Sequence, residues 1–234
     1  MIDSIVVVVP AKDEQDEISD CLQSLMAARD LLINTVARQV SIRIIVVLDD
    51  CRDGTAGLVA QFPYVETVTC WHCSVGAARR AGVDYAISTH SARSLWIAST
   101  DADCQVPADW LVQMLQYADA GTELVLGTVL PRPGLPEALM QAWLSAHDSS
   151  DDHRHVHGAN LGIHARTYVE LGGWSALVSD EDVDLVTRAE RSGGILIQRS
   201  GGMTVTTSSR RFGRAPRGFA GYLIELEQAI GEAG

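Results

Sequence analysis

The chain has 234 residues, enough for one large α/β domain, and its 47% hydrophobic content supplies a full core. Thirty acidic against 18 basic residues give a formal net charge of −12, which argues against a general nucleic-acid or anionic-membrane binder, because those surfaces reward excess Lys and Arg. No stretch reaches the roughly 18 uninterrupted apolar residues of a membrane span, and the N-terminus lacks the basic region and cleavage site of a signal peptide. The expectation is a soluble, cytoplasmic protein with no integral membrane segment, with peripheral membrane association and homodimerisation left open.

Taken in chain order, the first 130 residues alternate short β-branched runs with helical patterns, the signature of a parallel sheet covered by helices. "SIVVVVP" predicts a fully buried strand. Ile18, Leu22, Leu25 and Met26 recur at helical spacing, with Asp13 and Glu14 placed in the first turn, where acids favour the helix dipole. "IRIIVVLDD" predicts the second strand, "TAGLVAQF" a short helix, "VETVTC" the third strand and "SVGAARRAGVDYAIS" a helix. "SLWIAST" follows as a strand, "ADWLVQMLQYA" as a helix and "ELVLGTVL" as the fifth strand. "PRPGLP" is loop chemistry, "EALMQAWLSAH" a helix, and "DSSDDHRHVHG" a polar connector expected outside the core. "ANLGIHA" reads as extended and "RTYVELGG" as a short helix. "DEDVDLVTRAERSG" is an acid-started helix ending at Gly193, "ILIQ" and "MTVTTSS" are late strands, and "GFAGYLIELEQAI" is a terminal helix.

Ligands of a parallel α/β sheet bind outside the carboxyl ends of its strands. "VPAKDE", "DDCRDGT" and "TDADC" each follow a strand there. A GxGxxG after the first strand would indicate a dinucleotide, but Pro10-Ala11-Lys12-Asp13-Glu14 contains no glycine. On a turn, the alternate carboxylates of Asp101 and Asp103 reach one side and suit a hard divalent cation that takes further oxygens from a diphosphate. A solvated turn with Asp109 capping the next helix is the plainer reading of the same residues. Asp180, Glu181, Asp182 and Asp184 crowd one helix start. That pattern serves either dipole compensation or a carboxylate with a raised pKa, as a general base needs. Arg188, two turns on, is placed to orient Glu181 through a salt bridge.

The ordered series VPAKDE, DDCRDGT, GAARRAG, TDAD with VPADW, GANLGI, GGW and EDVDLVTR resembles the inverting family 2 glycosyltransferases over roughly residues 4 to 195. The resemblance implies the GT-A fold, a Rossmann-like, mostly parallel sheet sandwiched by helices, in a single domain over 1–234. Residues 1–130 would be the nucleotide-sugar half, 131–217 the acceptor-binding and catalytic half, and 218–234 a C-terminal helix. It implies a UDP- or GDP-sugar donor, Mn²⁺ or Mg²⁺, and a small or carrier-linked acceptor. Pro10, Ala11, Glu14, Asp49, Arg79, Arg80, Asp101, Ala102 and Asp103 make up the implied donor set. Ala11 and Glu14 would lie along the nucleoside, Asp49 would accept from the base, and Asp50 would stabilise its turn. One of Arg79 and Arg80 would face the nucleotide, since adjacent helical residues diverge by about 100°. Asp101 would approach the ribose and Asp103 would be the main metal ligand. Asp182 would be the base, beside Glu181.

The chain departs from the pattern after Asp182. Its last histidine is His164, and "SSRRFGRAPRGF" stands where membrane-associated members carry QxxRW. Arg210, Arg211 and Arg214 there would close over the diphosphate, or form a basic solvated loop. His153, His155 and His157 alternate, so an extended segment would put them on one face. Metal binding, an acceptor-pocket wall at His157 and a surface loop are the three readings of that face, the loop leading. Cys70-Trp71-His72-Cys73 is a lone CxxC, and reduced thiols are expected. A sugar nucleotidyltransferase and a non-catalytic GT-A-like binding protein remain the alternatives.

Overall fold

The computed structural model describes residues 1–89, 91–210 and 218–232. Strands β1 (Ser4–Ala11), β2 (Ser41–Asp49), β3 (Val65–Cys70) and β4 (Leu95–Ser99) run parallel in the order β3-β2-β1-β4. β1 lies inside this group and is covered on both faces, so a nearly unbroken Val/Ile run suits it. Ile5, Val7 and Val9 face one core, and Val6 and Val8 face the other.

The first face is covered by α1 (Ile18–Thr35) and α4 (Trp110–Asp119), which bury Ile18, Leu22, Leu25 and Trp110, Met114. The second is covered by α3 (Val75–Thr89), α6 (Ala165–Glu170) and α7 (Glu181–Ser192). α1 begins at Ile18, so Asp13 and Glu14 lie in the preceding loop rather than in its first turn. Glu14 is instead buried in the cleft at the ends of the strands.

The second half extends the same sheet. β7 (Leu161–His164) is antiparallel to β4 and to β6 (Leu124–Pro131), which pairs in parallel with β8 (Ile197–Thr207). The two late strands expected from the sequence are one strand, with a register irregularity opposite Gly127 and Thr128. A two-residue strand, β5 (Cys104–Gln105), pairs with the end of β8. Four of these pairings are parallel and three antiparallel, so the sheet is mixed α/β. A short α2 (Thr55–Val59) follows β2, while α5 (Glu137–Ala146) and α8 (Phe219–Glu232) pack on each other through Trp143, Phe219 and Tyr222.

Asn160, in the 3₁₀ turn Gly158–Asn160, pins the halves together. It accepts from Trp110 Nε1 at 2.9 Å and donates to the carbonyls of Thr128 and Met203, each at 2.8 Å. A Cβ on Gly127 would strike the Asn160 amide, so glycine is needed for this approach. The result fixes Gly158, which belongs to the cleft. Among the described residues no helix is long and apolar enough to cross a membrane.

Candidate active site

The carboxyl ends of β1, β2 and β4 open into a cleft of about 530 Å³. It is lined by Pro10, Ala11, Glu14, Asp49, Arg79, Asp101, Ala102, Asp103, Glu181 and Asp182. Arg80 does not join them: it points outward, pairs with Asp84 at 3.7 Å, and donates to the Trp174 carbonyl. Among the described residues, four non-glycine residues have positive φ, namely Asp13, Asp50, Cys73 and Asp180. All lie in loops around this end of the sheet, where strained backbone re-aims side chains.

Asp49 is buried and accepts backbone N–H groups from His72, Cys73 and Ser74 at 2.7, 3.0 and 3.2 Å. It therefore shapes the loop between β3 and α3 while facing the cleft. Lys12, the single lysine, donates to Asp50 Oδ2 at 3.1 Å and to the Asp50 carbonyl, and so ties the β1 and β2 loops together.

Arg79 is the hub. Only 2% exposed, it donates through Nε to Glu181 Oε1 at 3.1 Å and through Nη2 to Asp101 Oδ1 at 2.6 Å. Its Nη1 donates to Ser99 Oγ and to the Gly158 carbonyl. One planar guanidinium thus joins α3, β4, the 3₁₀ turn and α7. A Cβ on Gly158 would press into this guanidinium. Arg188 does not reach Glu181. It is held by Asp184 at 2.7 Å and by the carbonyls of Leu171 and Gly173, because a partner one turn away is nearer than one two turns away.

Glu181 and Asp182 are both pushed above the ordinary carboxylate range, chiefly by burial, with Arg79 opposing the rise. Asp182 accepts from the Gly158 N–H at 2.6 Å and the Val183 N–H at 2.8 Å, which fixes its carboxylate at the cleft wall. A partly buried, oriented carboxylate with a raised pKa is suited to accept a proton.

Asp101, Asp103 and the Cys104 thiol bring their ligand atoms within 4.8 Å of one another. Two carboxylates are a hard-cation donor set and fit Mn²⁺ or Mg²⁺, while the buried thiol, whose pKa burial raises, contributes little. Both carboxylates are paired, Asp101 with the buried Arg79 and Asp103 with the more exposed Arg210, so Asp103 is the candidate ligand whose cation partner is the easier to displace. Burial first, and then Asp101, push Asp103 up to about 6, against the pull of Arg210. Arg210 pairs with Asp103 and Glu14. Arg211 and Arg214 lie outside the described residues.

The first part of the polar connector, residues 148–152, is exposed as expected, but its histidines are not in open solvent. His153 is fully buried, and neither of its nitrogens finds a hydrogen-bond partner among the described residues. The three alternate histidines do share a face, and they stack with a fourth. His147 lies 4.0 Å from His155, and His153 and His157 lie 5.8 Å to either side of His155. Trp143 caps the column at 4.7 Å from His147. Near-parallel rings send their nitrogen lone pairs outward side by side, so they do not converge on one ion as a metal site requires. Trp143, His147, His155, His157, Phe219 and Tyr222 also line the cleft. Of these, Trp143, His147, Phe219 and Tyr222 went unnoticed in the sequence, where the i, i+4 spacing of Trp143 and His147 was the available signal.

The column should make stability depend on pH. Burial first, then the neighbouring imidazoles, lower His147 to about 4 and His157 to about 3, against about 6.5 when unfolded. Their neutral forms therefore contribute fully above pH 6.5, and that contribution is lost as pH falls towards 4 and then 3. Thermal midpoints should drop steeply below pH 6.5, and less steeply in His147→Phe, which keeps a ring in the stack. Equal slopes for the two proteins would contradict this origin.

The sequence matches the model of Glycosyl transferase family 2 over residues 6–165. The chain belongs to glycosyl transferase family 2. No curated protein matches it. Among solved structures, this family 2 chain is similar to S. aureus TarS 1–349 in complex with UDP. The TM-score is 0.62 at 11% identity, over 88% of this chain and 60% of that one. It is also similar to the mannosyltransferase PcManGT from Pyrobaculum calidifontis in complex with GDP-Man and Mn²⁺, with TM-score 0.64, 18% identity, and 90% and 58% covered. A third is M. tuberculosis glucosyl-3-phosphoglycerate synthase in complex with Mg²⁺ and UDP, with TM-score 0.59, 15% identity, and 97% and 78% covered. Identities this low speak for the fold, which is GT-A. The family 2 chain spans about three fifths of the first two of these proteins.

Proposed function

We propose that this family 2 protein transfers a sugar from a nucleoside-diphosphate sugar to an acceptor hydroxyl, with inversion. The observation that carries the reading is a single cleft lined by both Asp103 and Asp182, held by one buried arginine that bonds Asp101, two residues before Asp103, and Glu181, the residue before Asp182. Asp49 and Ala11 line the same cleft at the ends of β2 and β1 and would face the nucleotide of the donor; UDP and GDP-Man are the ligands bound in two of the structural neighbours.

Asp103, with Asp101 beside it, would hold Mn²⁺ or Mg²⁺, and the bound cation supplies charge neutralisation to the departing nucleoside diphosphate. Asp182 removes the acceptor hydroxyl proton as that oxygen bonds to the anomeric carbon. The carbon–oxygen bond to the diphosphate breaks, and its electron pair leaves with the phosphate. Attack from the face opposite the leaving group inverts the centre. Glu181, locked to Arg79, keeps the first turn of α7 in place so that Asp182 meets the acceptor in a fixed orientation. The aromatic and imidazole wall, with Trp143 and His157, would seat a small or carrier-linked acceptor.

Calorimetric titration with UDP, GDP and TDP, with and without Mn²⁺, tests this reading. One nucleotide should bind at least about tenfold more tightly with the metal. Failure of all three to bind in a metal-dependent way would point instead to a non-catalytic binding protein on the same fold.

A further inference from the structure

Four carboxylates, Glu14, Glu17, Asp101 and Asp103, gather at the donor end of the cleft, and burying them requires cations. Arg79 pairs with Asp101 at 2.6 Å, and Arg132 pairs with Glu17 at 2.7 Å. Glu14 and Asp103 share Arg210. Its Nη1 donates to Glu14 Oε2 at 2.6 Å, and its Nη2 donates to Glu14 Oε1 at 2.8 Å and meets Asp103 Oδ2 at 3.0 Å. Arg210 stands three residues beyond the end of β8, whereas Glu14 and Asp103 follow β1 and β4. A fork with both nitrogens engaged is the strongest geometry that a guanidinium offers a carboxylate.

We infer that Arg210 is an internal counter-cation which competes with the divalent cation for Asp103, so that metal enters the site only as Arg210 leaves it. The inference rests on the reading of the cleft as a metal-dependent nucleotide-sugar site. The competition follows from position. A divalent cation sits about 2.0–2.2 Å from a ligating carboxylate oxygen, and the guanidinium nitrogen lies 3.0 Å from Asp103 Oδ2. Both cations need the same lone pairs, and two positive charges that close in a partly buried site repel. Once released, Arg210 carries a planar fork suited to phosphate oxygens, and the diphosphate of the donor brings them into the same cleft. Metal alone then binds against Arg210, while metal with nucleotide binds with its help. The exchange therefore couples the two ligands.

The test measures Mn²⁺ affinity of the whole protein by calorimetry and by the electron paramagnetic resonance signal of free Mn²⁺, with and without UDP or GDP. Without nucleotide, Arg210→Gln should bind Mn²⁺ about tenfold more tightly than the parent, and the factor by which nucleotide tightens Mn²⁺ should shrink by a similar amount. Arg210→Lys keeps a charge over the carboxylates without the fork, and its affinity should fall between the two. It also serves if the glutamine variant unfolds. Asp103→Asn separates the two claims. If Mn²⁺ binds with nucleotide and is lost in Asp103→Asn, yet the Arg210 variants bind free Mn²⁺ no more tightly than the parent, the cleft reading stands and the competition is overturned. If no protein binds Mn²⁺ under either condition, both fall.

Discussion

Asp182→Asn should lower the turnover number by about 10²- to 10⁴-fold, the usual cost of losing a general base, while leaving donor affinity near the parent value. Asparagine keeps a side-chain carbonyl to accept the Gly158 N–H, so the turn that joins α7 to the cleft survives. What is lost is the ability to hold a proton. The two kinetic constants separate the roles, because a residue acting only in the transition state moves kcat and leaves ground-state binding unchanged. The pH profile gives a second reading of the same residue. Burial raises Asp182 above the usual aspartate value, so the acid limb of the parent should lie above about 3.9, with rate falling as pH drops and the carboxylate takes up its proton. Full transfer by Asp182→Asn would remove the assignment.

Arg79→Met should cost about 3–5 kcal/mol of folding stability, as breaking a buried ion pair from one side does. Glu181 and Asp101 would lose their shared cation, and Ser99 and the Gly158 carbonyl would lose a donor. Against a typical domain stability of about 5–15 kcal/mol, such a loss brings the protein near the threshold of unfolding. Arg79→Lys should recover little of it. A single ammonium cannot span groups that three guanidinium nitrogens reach in one plane. Urea unfolding midpoints of the parent and the two variants measure the effect. Midpoints unchanged in Arg79→Met would show that the hub does not hold α3, β4 and α7 together.

The contrast between Arg79 and Arg80 shows what the sequence can and cannot carry. Both stand in GAARRAG, and local geometry says only that they diverge. Which one turns inward depends on the face of α3 that meets β1 and β2, where a Cβ on Gly82 would strike Val8 and Val47. That is tertiary information. The strands were legible because β-branched runs broken by turn residues are a local signal, and DAD and ED were legible because they stand at the ends of such elements. Two-residue β5 carries no period at all. Arg188 shares a helix face with Glu181 but pairs with the nearer Asp184, one turn away. The polarity of the connector does report the exposed residues 148–152, but it hides the burial of His153. Neutral imidazoles pack as flat rings, and the surfaces that cover them come from Trp143 in α5 and from His147 just past its end.

Inversion is the claim on which the roles of Asp103 and Asp182 converge. It is read directly by proton NMR of the glycosidic product formed from an α-linked nucleotide sugar, observed before any anomeric equilibration. The account predicts a newly formed β-linkage, lost in Asp182→Asn. An α-linked product would contradict it, because retention requires a second displacement and a different role for Asp182.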